Sequence, residues 1–265
     1  MSGGLGDPVR PGMSRVTLLQ AAALLPPVAA AFAERGGAIL PVLAVVLLLT
    51  LIWELAFALL RALPVSWNGL TTALILTVII PPSVPLWQVA LAASFGVTLG
   101  ELVFGGRGFG FLNAGVASAA LLMFAFPGTA LAGGEPSVAL ATLPGLGLLF
   151  AAGLLPWRVL GGIAIGIAAG LLPAADLPMP QTFAPLLFGA VFLIADPVAT
   201  AATKTGRWLT GALAGLLAVD FGVATGSAMG AVVSAALLAS LAAPLIDHVV
   251  VLAHARRRKR RQGHG

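Results

Sequence analysis

Apolar residues run along this chain in blocks that end at proline, glycine or a charge. Ten blocks can be read: 16–33, 38–60, 70–80, 86–100, 113–126, 137–155, 158–172, 183–195, 208–224 and 228–253. A helix needs about 20 apolar residues to cross the hydrocarbon core of a bilayer. Several blocks fall short of that and lie beside proline, which is the pattern of helices broken inside a membrane. "IIPPSVPLW" (79–87) parts the third block from the fourth, and "ADPVATAATKTGRW" (195–208) parts the eighth from the ninth. The pattern predicts an all-α integral membrane protein of about ten helical segments.

The two breaks recur at a fixed spacing. Pro82 is followed 36 residues later by Ser118, which opens "SAALL" and a block ending at Pro127. Pro197 is followed 37 residues later by Ser234, which opens a second "SAALL" and a block ending at Pro244. Five blocks precede each closing proline, and an odd unit inserts with opposite orientation. The expectation is therefore two inverted five-helix repeats, with broken helices meeting near the midplane. The halves are expected at 15–127 and 137–253, joined by a short outer loop, 128–136. A disordered cytoplasmic stretch, 1–14, and a basic cytoplasmic tail, 254–265, flank them.

Composition agrees with the bilayer as solvent. The chain is 59% hydrophobic and 9% charged, with a mean hydropathy of +1.06, too little charge for a soluble surface. Cysteine is absent, which excludes disulfides and Cys-ligated iron–sulfur centres. His248, His254 and His264 lack metal-ligand spacing and read as interfacial or tail residues. The lead "MSGGLGDPVRPGMSR" does not have the pattern of a signal peptide. With ten segments both termini share a side, and the run "RRRKRR" places that side in the cytoplasm. Arg35 is then the one outer residue among the 14 Lys and Arg. The basic tail suits anionic membrane lipid; nucleic acid is not expected as a partner.

Few residues can carry chemistry. "VFGGRGFGFLNAG" (103–115) is a glycine-rich loop on the inner side, with no βαβ unit to make it a dinucleotide fingerprint. Gly105, Gly106 and Gly110 permit close backbone approach to a flat ligand or to a helix, and Arg107 can face phosphate or headgroups. Asn113 opens the next helix, either as its cap or as an amide offered to a ligand. Asp196 is costly in a membrane, and Pro197 breaks the helix that holds it. It reads as a ligand site, as a cap after the break, or as an ion-pair partner of Lys204 or Arg207. Glu54, in "LIWELAF", pairs within the bundle or marks a proton or cation path. "GGIAIGIAAG" (161–170) puts Gly162, Gly166 and Gly170 on one face for close helix packing.

These stretches together resemble the NqrB/RnfD family, membrane subunits of the sodium-pumping NADH:quinone oxidoreductase and of the Rnf ferredoxin-linked complex. "PPSVPLW", "FGGRGFGFLNAG", "ADPVATAATKTGRW" and "APLIDHVV" match family motifs in order, and the resemblance runs from about residue 15 to 250. It implies ten helices in two inverted halves. It also implies a non-covalent flavin (riboflavin or FMN) in the membrane, with Asn113, Asp196, Gly105, Gly106, Gly110 and Pro197 as the matching cofactor-binding positions. Family members carry a second flavin on a threonine in an S-G-A-T motif after the fifth helix. Here that loop reads "FPGTALAGGEPS" (126–137), so no covalent flavin is expected, with Thr129 the weak candidate. Ala114 and Ala195 also depart from the family pattern, which has proline and threonine there, and Gly110 replaces an asparagine.

The resemblance implies an electron-transfer subunit of the bacterial inner membrane, expected in a complex with flavin or iron–sulfur subunits, with ion translocation as a further expected role. Such a subunit is not expected to turn over alone. The alternatives are a small-solute channel or transporter built on the inverted repeat, and a scaffold that binds nothing itself.

Overall fold

A computed structural model describes residues 15–62, 65, 67–106, 109–172 and 179–262, with backbone alone for 179–183 and 257–262. The expected disorder of 1–14 lies outside the described residues. Among the described residues there are ten α-helices and no strand. They are α1 (Arg15–Arg35), α2 (Leu40–Arg61), α3 (Gly69–Ile79), α4 (Leu86–Val97), α5 (Ala114–Ala125), α6 (Pro136–Ala151), α7 (Trp157–Leu171), α8 (Met179–Gly189), α9 (Lys204–Thr225) and α10 (Ala228–Gln262). Each expected block contains one helix. The last helix runs on to Gln262 and takes most of the basic tail with it, instead of stopping near 253. Nothing there breaks it: Arg and Lys are good helix formers.

Three stretches, Arg15–Arg61, Lys204–Thr225 and Ala228–Arg256, are long and apolar enough to cross a membrane; the remaining apolar helices are shorter. The bundle also exposes large apolar side chains, including Leu59, Leu60, Trp87, Leu140, Leu172 and Leu245. Water would not tolerate so extensive an apolar coat, whereas lipid is its natural contact. The chain is a multi-pass integral membrane protein.

Neighbour pairs recur five helices apart. α1 packs on α3 as α6 packs on α8; α2 on α4 as α7 on α9; α4 on α5 as α9 on α10. The halves meet where α1 packs on α6 and α5 on α10. Backbones come close wherever glycine allows it. A methyl on Gly145 of α6 would run into the Ala23 carbonyl of α1, and one on Gly96 of α4 into Ser118 of α5. The α7–α9 seam is the tightest: Gly162 and Gly166 face Trp208 and Ala212, while Gly211 and Gly215 face Val159 and Ile163. Small residues on both sides supply the packing that a hydrophobic effect cannot supply within lipid.

The breaks have different surroundings. α3 ends before Pro81 and Pro82, and its last carbonyls are met by donors from other segments. Arg35 Nη1 donates to Val78 O at 2.8 Å, and Ala132 N donates to Ile79 O at 2.8 Å. Arg35 also grips Glu135 with a fork, Nη2 lying 2.8 and 2.9 Å from its two oxygens, which ties the end of α1 to the start of α6. The break after α8 lies instead against Thr71 and Ile75 of α3. Each break is thus closed by its own partners.

Substitutions in α7 and α9 test the packing of their seam. Gly166→Leu is expected to lower stability by about 1–3 kcal/mol through overpacking. Gly222→Ala on α9, where an added methyl meets open space, is expected to leave it unchanged or slightly raised. Denaturant unfolding of the purified protein in detergent measures both.

Candidate functional site

The site is assembled where α5 begins and α8 ends. Asn113 caps α5: its Oδ1 accepts from Gly115 N at 2.8 Å and from Val116 N at 3.2 Å. The same amide donates through Nδ2 to Asp196 Oδ2 at 2.7 Å. α8 continues into a π-helical turn, Ala190–Ile194, closed by Ala195 N donating to Ala190 O at 2.9 Å. Pro197, with no N–H, stops the chain from continuing as helix. Asp196 Oδ1 accepts from Val198 N at 3.2 Å, which closes the turn past the break. Asn113 and Asp196 are 7% and 6% exposed, so their contact is made inside the bundle. The cap reading holds, and the caps are what bring the two side chains together.

Two narrow crevices flank Asp196. The first is lined by Thr71 and Thr72 of α3, by Gly100, Glu101, Gly106 and Gly110, and by Asn113. The second lies between Gln20 and Leu24 of α1, Thr71 and Ile75 of α3, Leu154 and Leu155, and Phe192 with Pro197. Each encloses about 20 Å³, room for one water. A ring system enters only if the lining parts.

The sequence-predicted residues separate into those gathered here and those placed elsewhere. Asn113, Gly106 and Gly110 line the first crevice, Pro197 the second, and Asp196 both. Gly105 does not line either; its φ of +114° turns the chain, with the Phe109 ring against it. Arg107 lies outside the described residues. Glu54 is buried on α2, where its Oε1 accepts from Gly69 N at 2.7 Å and so caps α3 from another helix. Arg207 donates to Ala201 O at 3.1 Å. Thr129 lines a separate cavity of about 790 Å³ between the end of α5 and the junction of α9 with α10.

Several polar residues at the site were not singled out by the sequence. Glu101 sits in a π-helical turn, Thr98–Leu102, that extends α4; Val103 N closes it on Thr98 O at 2.8 Å. Its Oε1 accepts from Asn68 Nδ2 at 3.0 Å, and Asn68 Oδ1 accepts from Thr17 Oγ1 at 2.8 Å. Arg61 donates to the Leu102 and Val103 carbonyls at 2.7 and 3.1 Å, closing the end of that turn. Asp247, from the closing "APLID" stretch, accepts from Ala202 N at 2.6 Å, Thr203 N at 3.0 Å and Thr203 Oγ1 at 2.5 Å. It pins the start of α9 after the break. Gln20 is buried, and its Oε1 has no hydrogen-bond partner. The sequence signal for these residues was a polar side chain inside an apolar block, which by itself does not say where that side chain points.

The donor set suits a flat heterocycle with a polar edge, such as a flavin. An orphaned buried acceptor on Gln20, a carboxylate and a threonine hydroxyl stand among Leu24, Ile75, Phe192 and the Leu154–Leu155 corner. Such rings take an apolar slot with a few polar groups at one rim. As the lining stands, the crevice admits one water and no ring.

The family model for the NQR2, RnfD, RnfE family matches residues 10–133 and 128–255. The NqrB protein of the Na(+)-translocating NADH-quinone reductase from Ectopseudomonas mendocina (strain ymp) is 32% identical over 86% of this chain and 70% of its own length. Its counterpart from Pseudomonas aeruginosa (strain LESB58) is 32% identical over 80% of this chain and 66% of its own length. For the one from Yersinia pestis the values are 30%, 84% and 68%. With nearly its whole length matched by the family model, the chain belongs to the NQR2/RnfD/RnfE family.

Proposed function

We propose that the chain is the membrane electron-relay subunit of a multisubunit redox complex, and that it holds a flavin non-covalently beside Asp196. The observation that carries this reading is the buried Asn113–Asp196 pair with the polar crevices around it. A bound flavin supplies one- and two-electron transfer. Asn113 has both ends of its amide engaged, so it orients Asp196 instead of presenting its own edge. Asp196 accepts from a ring N–H or a ribityl hydroxyl. The surrounding apolar side chains exclude water and lower the local dielectric, which strengthens those hydrogen bonds. Electron donor and acceptor come from other membrane, flavin or iron–sulfur subunits, since this chain has no cysteine.

The same reading takes the halves as inverted repeats in the bacterial inner membrane, with both termini in the cytoplasm. The recurrence of neighbour pairs five helices apart and the two stretches matched by the family model support the repeat. The charge asymmetry supports the orientation. Ion coupling through the buried carboxylates Glu54, Glu101 and Asp196 belongs to it as well. A solute pathway is the second reading, favoured by the outer cavity of about 790 Å³ and its hydroxyls Thr225, Ser227 and Ser234.

The absorbance of the purified protein between about 350 and 500 nm, where oxidised flavins absorb, is expected to show flavin bands. Acid precipitation is expected to release them fully into the supernatant. A colourless preparation that stays so after adding riboflavin or FMN would turn the assignment to the solute pathway. Asp196→Ala is expected to lower flavin occupancy at least tenfold, the size of a lost buried hydrogen bond to a charge.

Orientation has a direct test, because the chain is free of cysteine. In right-side-out vesicles Gly128→Cys is expected to react with an impermeant maleimide. Gln262→Cys is expected to react only after the vesicles are opened. The reverse pattern overturns the topology.

A further inference from the structure

We propose that the end of α10 is a collar for anionic phospholipid, carried past the hydrocarbon core to gather headgroups around the helix. α10 runs unbroken from Ala228 to Gln262, so the basic stretch is the continuation of a membrane helix and not a separate tail. Residues 256–261 are all Arg or Lys, and no Asp or Glu occurs between Asp247 and Gln262 to offset them. Positions on an α-helix advance by about 100° per residue. Six consecutive cations therefore go right round the axis and leave no side of the helix without one. A protein partner laid along one face would meet only part of such a set. A layer of headgroups surrounds a helix and meets all of it.

The apolar coat sets the height of the collar. Leu245, Val249, Val251 and Leu252 are exposed, and exposed side chains of this kind belong in hydrocarbon. The edge of the hydrocarbon core then lies near Leu252. About 20 residues back, the length that spans the core, stands Val232, within the first two turns of α10. At about 1.5 Å per residue, Arg256 is about 6 Å beyond Leu252 and Arg261 about 14 Å beyond it. The polar layer of one leaflet is about 5–8 Å deep. The collar thus starts among the headgroups and ends just outside them, within a Debye length of their charge. A cluster of this size directly after a membrane helix is what attracts anionic lipid. Because its backbone is already ordered as helix, little further ordering is needed when lipid gathers.

The test uses the full chain with Gln262→Cys carrying a donor dye, in phosphatidylcholine nanodiscs. These contain a trace of acyl-labelled acceptor lipid, either phosphatidylglycerol or phosphatidylcholine. Energy transfer at low salt is expected to report about fivefold enrichment of phosphatidylglycerol at the helix end, the effect of about one charge contact per lipid. Salt at about 0.5 M is expected to remove most of it by screening. Arg256→Gln, Arg257→Gln, Arg258→Gln, Lys259→Gln, Arg260→Gln and Arg261→Gln together are expected to abolish it. If that chain does not insert, the salt titration of the unsubstituted collar decides alone. Equal transfer to the two lipids at low salt overturns the proposal and turns the collar to a protein partner. A preference that survives the glutamine substitutions or high salt overturns it too, because the anionic lipid is then held elsewhere on the chain.

Discussion

In a lipid environment a backbone N–H or C=O without a partner is costly, and the structure depends on how its broken helices meet that constraint. Several of the breaks and early helix ends are closed by a side chain that comes from elsewhere in the chain. Arg35 meets the end of α3, Arg61 the end of the π-helical turn at 98–102, Glu54 the start of α3, and Asp247 the chain leading into α9. The arginines among them are charged, and the hydrogen bonds they make are stronger than neutral ones. The same contacts decide the relative positions of helices that are far apart in sequence.

The Asn113–Asp196 hydrogen bond joins two such ends. Asn113 would need only its oxygen to cap α5, and Asp196 only one oxygen to cap the turn after α8. Their remaining atoms face each other, which locks the first half of the chain to the second. Because both are used as caps, neither can swing away to suit a ligand without undoing a helix end. A ligand edge set against Asp196 therefore meets a preorganised acceptor, whose orientation cost has already been met in folding.

Among the described residues the buried carboxylates and amides are not scattered through the core. Glu54, Asn68, Thr71, Thr72, Glu101, Asn113 and Asp196 are all buried around the first turn of α3 and the helix ends that converge on it. The α7–α9 seam, by contrast, is made of glycine and alanine with a Trp157–Trp208 edge-to-face contact, ring centroids 5.6 Å apart. One region packs backbone against backbone and stiffens the bundle; the other collects the groups able to bind or relay charge.

Much of this was legible in the chain. Block lengths and prolines located ten helices, because apolar length and the missing proline N–H act locally. The glycine spacing of 161–170 announced a close helix contact, and the order of the motifs identified the family. Asn113 could be read as a cap because capping involves residues two or three apart. What local pattern cannot express is the partner across the bundle. Nothing near Glu54 says that it caps Gly69, nothing near Asp247 that it reaches Ala202 and Thr203, and Gln20 looks like any polar residue on a helix face. The sequence by itself determined the solvent, the helices and the places where they break. Only the tertiary structure decided which side chain closes each break and which buried amide stays unmet, since both depend on the distance between residues that the chain keeps far apart.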